Sequence, residues 1–591
     1  MWTRRNAVLG LACLGGASVT SAIPLVEDMG SAQTPDTRGW SSLLDTLPDR
    51  IRAEVRAGTY SGDISQALRE AIETGADFVI PTGTYWFAGG ALEVRTPGQR
   101  IVGTGGILKR LPGRDGIGIL VSGANATLQD IRIDGRAPAR ELSHHNDMVK
   151  VTGNRCRIVR LVVEGSAGSN LRVDGAQDCQ ILHPTLTDAH QNNIVVCNGP
   201  ARNILIETPI CRRTVTQNNI FVTASEGSGD NGEVVSGIVV NNPMCSDAAD
   251  TGIELGYHCT DSQVNGGKVI NSTNPALLQR DGKRNRWRDV AVVSKRLAAQ
   301  HSTYDSVAVV PQWEPTSWDS DTEFSGIVVR GPVTRSAFYW GQSGIRRIGC
   351  SAYALDTTES GGPAPLARLG SGDLKAGGVG NILVRGGRID GFAIGDNWNF
   401  DAARYERTRC ITEDVAFSRC TQIFNIYNVT PVRSIIAGNT GTDNAQTALS
   451  LVGTQLVPTD ARPDTGLVYA DNRFAPSSPA RPDGDSGPAS FLLSRDSRYV
   501  RIPAAAAAIV AAPAKAGRYR LVLETGHLDF AVATTAAGPA LLARARLASG
   551  EGAAVEVMVE NGNIVLHQRG RPNRTLWAKI TGPGMRADWI G

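Results

Sequence analysis

Charged and polar side chains recur at matching places in a series of short, strand-like stretches. Five stretches align with one another: His145–Val151, Ala167–Val173, His190–Val196, Thr216–Val222 and Ala249–Leu255. Successive matches lie 22, 23, 26 and 33 residues apart, a period typical of a solenoid with stacked turns. Because side chains alternate along a strand, one outward column is predicted: Lys150, Arg172, Val195, Phe221 and Glu254.

Two further columns precede this one along the same stretches. They contain Asp147, Ser169, Asn192, Asn218 and Thr251, and then His145, Ala167, His190, Thr216 and Ala249. Neighbouring turns are ~4.8 Å apart, so Lys150 is expected beside Arg172. On the same spacing His145 is expected about 10 Å from His190. Together the columns predict a polar, partly basic groove.

Two adjacent cations suit the carboxylate of an anionic sugar such as a uronate. A neutralised carboxylate acidifies the neighbouring C–H, and a nearby base can then remove that proton in a β-elimination. His190 is the first candidate base, and Lys150 is the second if Arg172 depresses its pKa. The residues predicted to bind substrate in the groove are His145, Asp147, Asn192, Asn218 and Phe221. In the alternative interpretation, the asparagines are turn and ladder residues and the histidines only decorate the surface.

Hydrolysis is a second interpretation and requires two carboxyl groups about 5 Å apart, or about 6.5 to 9.5 Å apart. Asp147 and Asp250 are four turns apart, near 19 Å, and cannot cooperate. The carboxylates that remain as candidates are Asp188, Asp247, Asp250 and Glu254.

Two longer excursions between the repeats are predicted to wall the groove. One contains Arg280, Lys283, Arg284, Arg286, Trp287 and Arg288, and the other contains Trp313, Glu314, Trp318, Asp319 and Asp321. Arginines bind carboxylate or sulfate, and tryptophan faces stack on sugar rings. Arg280 and Trp313 are therefore predicted to contact substrate, although a solvated charged loop would explain the first excursion equally well.

The net charge and the N-terminal sequence indicate which partners and which cellular location to expect. The chain has 591 residues and a net charge of +3, which is too balanced to indicate nucleic-acid binding. Thr3–Leu9 includes Arg4-Arg5 and precedes an apolar stretch of small residues, so residues 1–22 resemble a twin-arginine export signal. An ordinary secretory signal or an anchor is the alternative. We expect a periplasmic or extracellular protein that has no membrane association after the signal is removed.

Nine cysteines follow this signal. Cys156 and Cys179 are one repeat apart, and Cys211 and Cys245 lie in matching Pro-x-Cys contexts. This spacing predicts buried, stacked thiols rather than a disulfide framework. No Cys-x-x-Cys or His-x-x-x-His spacing occurs, so no metal site is predicted.

The segment before the repeats resembles a known family. An amphipathic helix is predicted over Asp63–Glu73, capped by Asp63 or Ser65, and "ADFVIPTGTYWF" follows it. Over roughly residues 50–455 the chain resembles the pectin-lyase-like superfamily, which implies a right-handed parallel β-helix with this helix as its N-terminal cap. The hydrolase motifs Asp-Asp and Gly-His-Gly are missing, and Asp250-Thr251-Gly252 is only a partial echo of another. The calcium-dependent pectate lyase pattern is also missing, so neither Ca²⁺ nor another cofactor is indicated.

The predicted organisation is an all-β chain with four parts. These are the signal at 1–22, the β-helix catalytic domain with its cap at 40–455, a linker at 456–487 and a β-sandwich-like domain at 488–591. The last part is a candidate carbohydrate-binding or homo-oligomerisation module. The favoured function is a lyase for an acidic polysaccharide. A β-helix glycoside hydrolase and a non-catalytic, tailspike-like carbohydrate-binding surface protein are the alternatives.

Overall fold

The computed structural model describes residues 36–581, with gaps. The gaps are 89, 91, 112–115, 136–145, 225–232, 295–305, 313, 315–317, 334, 355–370, 377–378, 400–408, 428–433, 443–446, 453–466, 471, 475–489, 495–496, 503–508, 514–516, 524–525, 537, 542–544, 551–552, 561–562 and 570–575. The proposed signal, His145 and Trp313 lie outside the described residues. Trp40–Gly591 forms one compact unit, and only residues 36–39 of the preceding unit are described.

A parallel sheet of 14 strands, here called the site sheet, contains the aligned repeats. Its strands are Leu92–Val94, Ile119–Val121, Val149–Val151, Leu171–Asp174, Ile194–Cys197, Ile220–Thr223, Ile253–Leu255, Leu277–Arg280, Val307–Val310, Ser336–Trp340, Ser371–Lys375, Ile394–Asn399, Gln422–Tyr427 and Thr447–Val452. Every strand pairs with the next one in this order, so the predicted stacking of repeats is confirmed.

Two strands of a second parallel sheet follow each strand of the site sheet over most of the coil. The coil strands of this second sheet are Ser41–Ser42, Phe78–Phe87, Arg100–Arg110, Thr127–Gln129, Arg132–Asp134, Arg157–Val159, Val162–Ser166, Gln180–Leu182, Thr185–Ala189, Leu205–Glu207, Ile210–Thr214, Val239–Asn241, Met244–Ser246, Gln263–Asn265, Lys268–Ile270, Arg286–Arg288, Ala291–Val293, Asp319–Ser325, Val328–Arg330, Ser343–Ile348, Ser351–Tyr353, Ile382–Arg385, Arg388–Asp390, Cys410–Glu413, Ala416–Ser418, Ser434–Ala437, Thr440–Thr442, Leu467–Ala470 and Arg473–Phe474. A small sheet joins Val235–Ser236 to Cys259–Thr260. The fold is a right-handed parallel β-helix, as predicted.

The turns between the strands use left-handed backbone conformations that recur from one rung to the next. Asp130 and Arg160 occupy matching turns with φ of 55° and 49°. The Arg160 guanidinium donates to the Asp130 carboxylate, so the turns are also joined by side chains. At Gly387, φ is +85° and an added Cβ would lie 1.9 Å from the Cys350 carbonyl oxygen, so only glycine fits there.

The coil interior is a continuous hydrophobic core built from inward-facing strand residues. The nine cysteines after the proposed signal are all buried, and Cys211 pairs in register with Cys245. The prediction of buried cysteines at equivalent rung positions is therefore confirmed.

Among the described residues, two α-helices and one short 3-10 helix lie between the strands Ser41–Ser42 and Phe78–Phe87. The 3-10 helix is Leu43–Thr46, and the α-helices are Asp49–Ala57 and Ser65–Glu73. The predicted helix starts two residues later than expected, where the Asp63 carboxylate accepts the N–H of Ser65 at 2.8 Å. No helix in the described part of the chain is both long enough and apolar enough to cross a membrane.

The C-terminal strands pair mainly in antiparallel fashion. One group continues the second sheet and consists of Ser490–Ser494, Ser497–Ile502, Gly517–Leu523, Gly526–Thr535, Gly538–Leu541 and Leu576–Thr581. The other is a four-stranded sheet of Ile509–Pro513, Ala545–Gly550, Ala553–Glu560 and Asn563–Arg569. The proposed domain boundaries stay predictions.

Candidate active site

The predicted outward column of the site sheet is continuous in the structure. Arg172 pairs in register with both Lys150 and Val195. Phe221 pairs with Val195 on one side and with Glu254 on the other. The register derived from the repeats is therefore confirmed residue by residue.

The polar residues just before these strands are bonded to one another. The Asn192 side-chain oxygen accepts the backbone N–H of Asn218 at 3.1 Å, and the Asn218 oxygen accepts that of Thr251 at 3.0 Å. Asn192 is fully buried and Asn218 is 3% exposed. Asp147 similarly accepts the N–H of Ser169 at 2.9 Å. These contacts match the turn-and-ladder interpretation of the column.

Lys150 and Arg172 are neighbours, as predicted, but each already has a carboxylate partner. Arg172 Nε lies 2.5 Å from Asp147 Oδ2, and Lys150 Nζ lies 2.5 Å from Asp174 Oδ2. Burial alone would raise the pKa of Asp174, but hydrogen bonds from Lys150 and Asn198 outweigh burial and lower it. Both cations of the predicted groove are therefore paired with carboxylates of this chain.

His190 lies in the turn between Thr185–Ala189 and the next strand of the site sheet. Its backbone N–H donates to the Ser166 carbonyl, and its own carbonyl accepts from Thr216. Burial lowers the pKa of its imidazole, which favours the neutral form able to accept a proton. Within the described part of the chain, its contacts do not reach Lys150 or Arg172.

Glu254 is a buried carboxyl group on the outward face of the site sheet, 3% exposed. Its Oε2 accepts a hydrogen bond from Asn218 Nδ2 at 2.8 Å. Its Oε1 lies 3.4 Å from Arg280 Nε and receives no hydrogen bond. A buried carboxylate oxygen that receives no hydrogen bond is costly, which disfavours the ionised form of Glu254.

Burial raises the pKa of Glu254 to about 7. Arg280 and Asn218 pull that pKa down, and the nearby Asp250 charge pushes it up. An added Cβ on Gly256 would lie 3.0 Å from the Phe221 ring and 3.2 Å from Glu254 Oε1. The aromatic ring and the carboxyl therefore both border Gly256.

Arg280 connects Glu254 with two further side chains. Its Nη1 donates to the Tyr257 hydroxyl at 2.7 Å and to Gln312 Oε1 at 3.1 Å. The Tyr257 hydroxyl donates to the same Gln312 oxygen at 2.8 Å. The Arg280 side chain is 26% exposed, so it is partly open to solvent beside the buried Glu254.

The remaining carboxylate candidates divide into two groups. Asp250 is close enough to raise the pKa of Glu254, and it accepts a hydrogen bond from Asn274. Asp188, within the strand Thr185–Ala189, is held by Arg213 through hydrogen bonds of 2.6 and 2.9 Å. Asp247 interacts electrostatically with the same arginine. The structure thus brings Asp250, Glu254 and Arg280 together and pairs Asp188 with Arg213.

Two members of this constellation escaped sequence reasoning. Tyr257 follows Glu254 by three residues and could have been found as an aromatic residue just past the strand. Gln312 comes from a segment 55 residues after Tyr257, and no local pattern links the two. In the part of the chain that the structure describes, no cluster of three or more histidine, cysteine or acidic side chains could hold a metal ion.

A separate surface cleft of about 380 Å³ lies on the second sheet. Its lining includes Asp319, Asp321, Arg346 and Arg409. Asp319 and Asp321 belong to the second excursion that was predicted to wall the groove. Because Asp250, Glu254 and Arg280 do not line this cleft, it is not the site described above.

Comparison with known proteins adds a likeness of overall fold. No family model matches the chain, and no curated protein matches its sequence. It resembles the A-module of a mannuronan C-5 epimerase from Azotobacter vinelandii, with a TM-score of 0.40 and 11% identity over 58% of this chain and 98% of that chain. It also resembles a tailspike protein of Acinetobacter baumannii bacteriophage Fri1, a capsular polysaccharide depolymerase, with a TM-score of 0.33 and 10% identity over 89% of this chain and 84% of that chain. A surface adhesin of Streptococcus pneumoniae gives a TM-score of 0.34 and 9% identity over 70% of this chain and all of that one. At such low scores nothing about the chemistry of this chain rests on these likenesses.

Proposed function

We propose that this protein hydrolyses an acidic polysaccharide, with Glu254 as the proton donor. The observation that carries the proposal is a buried carboxyl whose pKa is raised to about 7. Such a group is still substantially protonated at neutral pH, which is the requirement for a general acid. Hydrolysis replaces elimination as the first choice because the two cations that favoured elimination are already neutralised by Asp147 and Asp174.

The proton has a defined location in this scheme. Oε2 accepts from Asn218, so the proton is carried by Oε1, the oxygen without a donor. Glu254 gives this proton to the glycosidic oxygen as the bond from the anomeric carbon to that oxygen breaks. Asp250 is the second carboxylate. It either activates the water that attacks the anomeric carbon, or attacks that carbon itself and forms a glycosyl-enzyme that water then cleaves.

The position of Arg280 is the reason to propose an acidic substrate. Its closest acceptors besides Glu254 are the neutral Tyr257 hydroxyl and the Gln312 amide oxygen. When Glu254 is protonated, the adjacent carboxyl no longer neutralises this guanidinium, although the charge of Asp250 still acts on it. A carboxylate or sulfate on the sugar would then provide the missing charge.

Elimination remains the second candidate because Arg280 stands beside a carboxyl of raised pKa. In that reaction Arg280 neutralises the uronate carboxylate and ionised Glu254 removes the neighbouring proton. The bond to the glycosidic oxygen then breaks, and the uronate that loses this oxygen is left with a carbon–carbon double bond. His190, held neutral by its lowered pKa, is an alternative base.

Product analysis separates these functions. Purified protein is incubated with a panel of uronate-containing and sulfated polysaccharides, and both reducing ends and ultraviolet absorbance of unsaturated uronate are followed. New reducing ends without absorbance support hydrolysis, and both signals together support elimination. Binding without new ends on any substrate would favour a carbohydrate-binding surface protein.

A further inference from the structure

The Gln312 amide oxygen occupies a position built for an acceptor. It receives hydrogen bonds from the Tyr257 hydroxyl at 2.8 Å and from Arg280 Nη1 at 3.1 Å. The Arg280 guanidinium also lies over the Tyr257 ring, 5.3 Å from its centroid. Two donors therefore converge on one oxygen at the solvent side of Glu254.

Asp281 fixes the backbone that carries Gln312. Asp281 is fully buried, and its Oδ1 accepts the backbone N–H of Gln312 at 2.9 Å and that of Glu314 at 3.4 Å. A third donor, Gln342 Nε2, lies 3.4 Å from the same oxygen. Since Asp281 directly follows Arg280 in the chain, one short segment holds both the cation and its neutral partner.

We propose that Gln312 is a plug that mimics the substrate, and that an acidic group of the sugar must displace its amide oxygen to reach Arg280 and Tyr257. The proposal rests on the function proposed above and adds a specificity-determining residue to it. A carboxylate competes well with the plug, because charge-assisted hydrogen bonds are stronger than bonds to a neutral amide. A neutral hydroxyl gains no such advantage, so the plug excludes neutral sugars.

Two substitutions of Gln312 should change KM in opposite directions. Gln312→Ala removes the competing oxygen and lowers KM for an acidic polysaccharide by about tenfold, equivalent to about 1.4 kcal/mol. Gln312→Glu supplies a permanent carboxylate to Arg280 and raises KM by at least a similar factor. Asp281→Asn keeps the side-chain volume but weakens the anchor, and it lowers KM less than Gln312→Ala does.

Two assays are used, so that failure of the plug can be distinguished from failure of the proposed hydrolysis. Steady-state kinetics on the cleaved polysaccharide gives KM and kcat for each variant. Calorimetric titration with polygalacturonate and with a neutral glucan, in the Glu254→Gln background, measures binding without turnover. The plug is supported if Gln312→Ala tightens polygalacturonate binding and Gln312→Glu weakens it, even if no substrate is cleaved. The proposal is overturned if Gln312→Ala weakens polygalacturonate binding. It is also overturned if the Glu254→Gln protein binds the neutral glucan as tightly as polygalacturonate, or if no variant binds either polymer.

Discussion

Glu254 owes its raised pKa to the loss of water around its charged form. The pKa moves from 4.5 in the unfolded chain to about 7 in the folded protein. A carboxyl with a raised folded pKa contributes stability below pH 4.5 and loses that contribution as pH rises through about 7. The raised pKa that keeps the catalytic proton on Glu254 therefore lowers the stability of the protein in alkaline solution.

Replacing Glu254 with glutamine should remove both effects. At pH 8 the variant should be more stable than the parent by about 3 kcal/mol, because a neutral amide avoids the cost of a buried charge. It should also be inactive, because the amide cannot donate the catalytic proton. Urea unfolding at pH 5 and pH 8 measures the first effect, with Glu70→Gln on the exposed face of a helix as control. An unchanged pH dependence in the variant would show that Glu254 does not titrate as described.

Substitution of Arg172 should lower the free energy of unfolding more than substitution of Lys150. Arg172→Met removes the guanidinium that neutralises the buried Asp147 and should cost about 3 to 5 kcal/mol. The Lys150 side chain is 24% exposed, so Lys150→Met should cost only about 1 kcal/mol. Chemical denaturation of the two variants provides the comparison. Equal costs, or a larger cost at Lys150, would contradict the assignment of Arg172 to a buried structural ion pair.

The repeats show how far residue-level prediction reaches. Strand alternation was enough to place Lys150, Arg172 and Glu254 in one column. It could not reveal that Asp147 and Asp174 neutralise the two cations, because ion-pair choice depends on side-chain direction across rungs. Gln312 was equally out of reach, since a hydrogen bond over 55 residues leaves no local signal.

At the scale of elements, a ladder of buried asparagines holds consecutive rungs together. Asn170 Nδ2 donates to Asn193 Oδ1 at 2.7 Å, and Asn193 Nδ2 donates to Asn219 Oδ1 at 2.7 Å. All three side chains are fully buried. The ladder links three rungs that precede Glu254, and it thereby supports the strand register on which the site depends.

Breaking the ladder at its centre should be costly. Asn193→Leu removes a donor and an acceptor at once and leaves partners on Asn170 and Asn219 unsatisfied, which should cost about 2 to 4 kcal/mol in total. Thermal or urea unfolding checks this, and Asn154→Leu in an exposed turn shows the effect of adding leucine outside the ladder. A cost at Asn193 no larger than at Asn154 would mean that the ladder does not stabilise the coil.

Prediction of elements succeeded where sequence periodicity was strong. The helix Ser65–Glu73 was expected because its apolar residues share one face, and Leu68, Ala71 and Ile72 are indeed buried. The helix Asp49–Ala57 was missed because Val55 is its only buried residue. Pro48 before it and Gly58 after it, with φ of 72°, are start and stop signals that could have revealed it.

At the scale of the whole molecule, the coil encloses a charged cluster within its apolar interior. Lys375 Nζ lies 2.6 Å from Asp396 Oδ1 and 3.5 Å from Asp373 Oδ1. Arg347 Nε lies 2.9 Å from Asp373 Oδ2, and Trp398 donates to Asp396 at 3.0 Å. Hydrophobic periodicity could not predict these residues, because they occupy inward positions that elsewhere hold aliphatic and aromatic side chains.

Loss of one member of this cluster should destabilise the coil as a whole. Lys375→Met leaves an excess negative charge in a dry interior and should cost about 3 to 5 kcal/mol. Equilibrium unfolding followed by far-ultraviolet circular dichroism measures the change. A cost below about 1 kcal/mol, in the range of exposed ion pairs, would show that the cluster is not isolated from solvent.

The central claim concerns the whole protein as an enzyme, and the pH dependence of reducing-end release from acidic polysaccharide tests it most directly. We predict new reducing ends without unsaturated product, a kcat/KM that falls as pH rises through about 7 with the ionisation of Glu254, and loss of this activity in Glu254→Gln. Full activity in Glu254→Gln, or a rate that rises through the same pH range, would contradict the assignment of Glu254 as the proton donor.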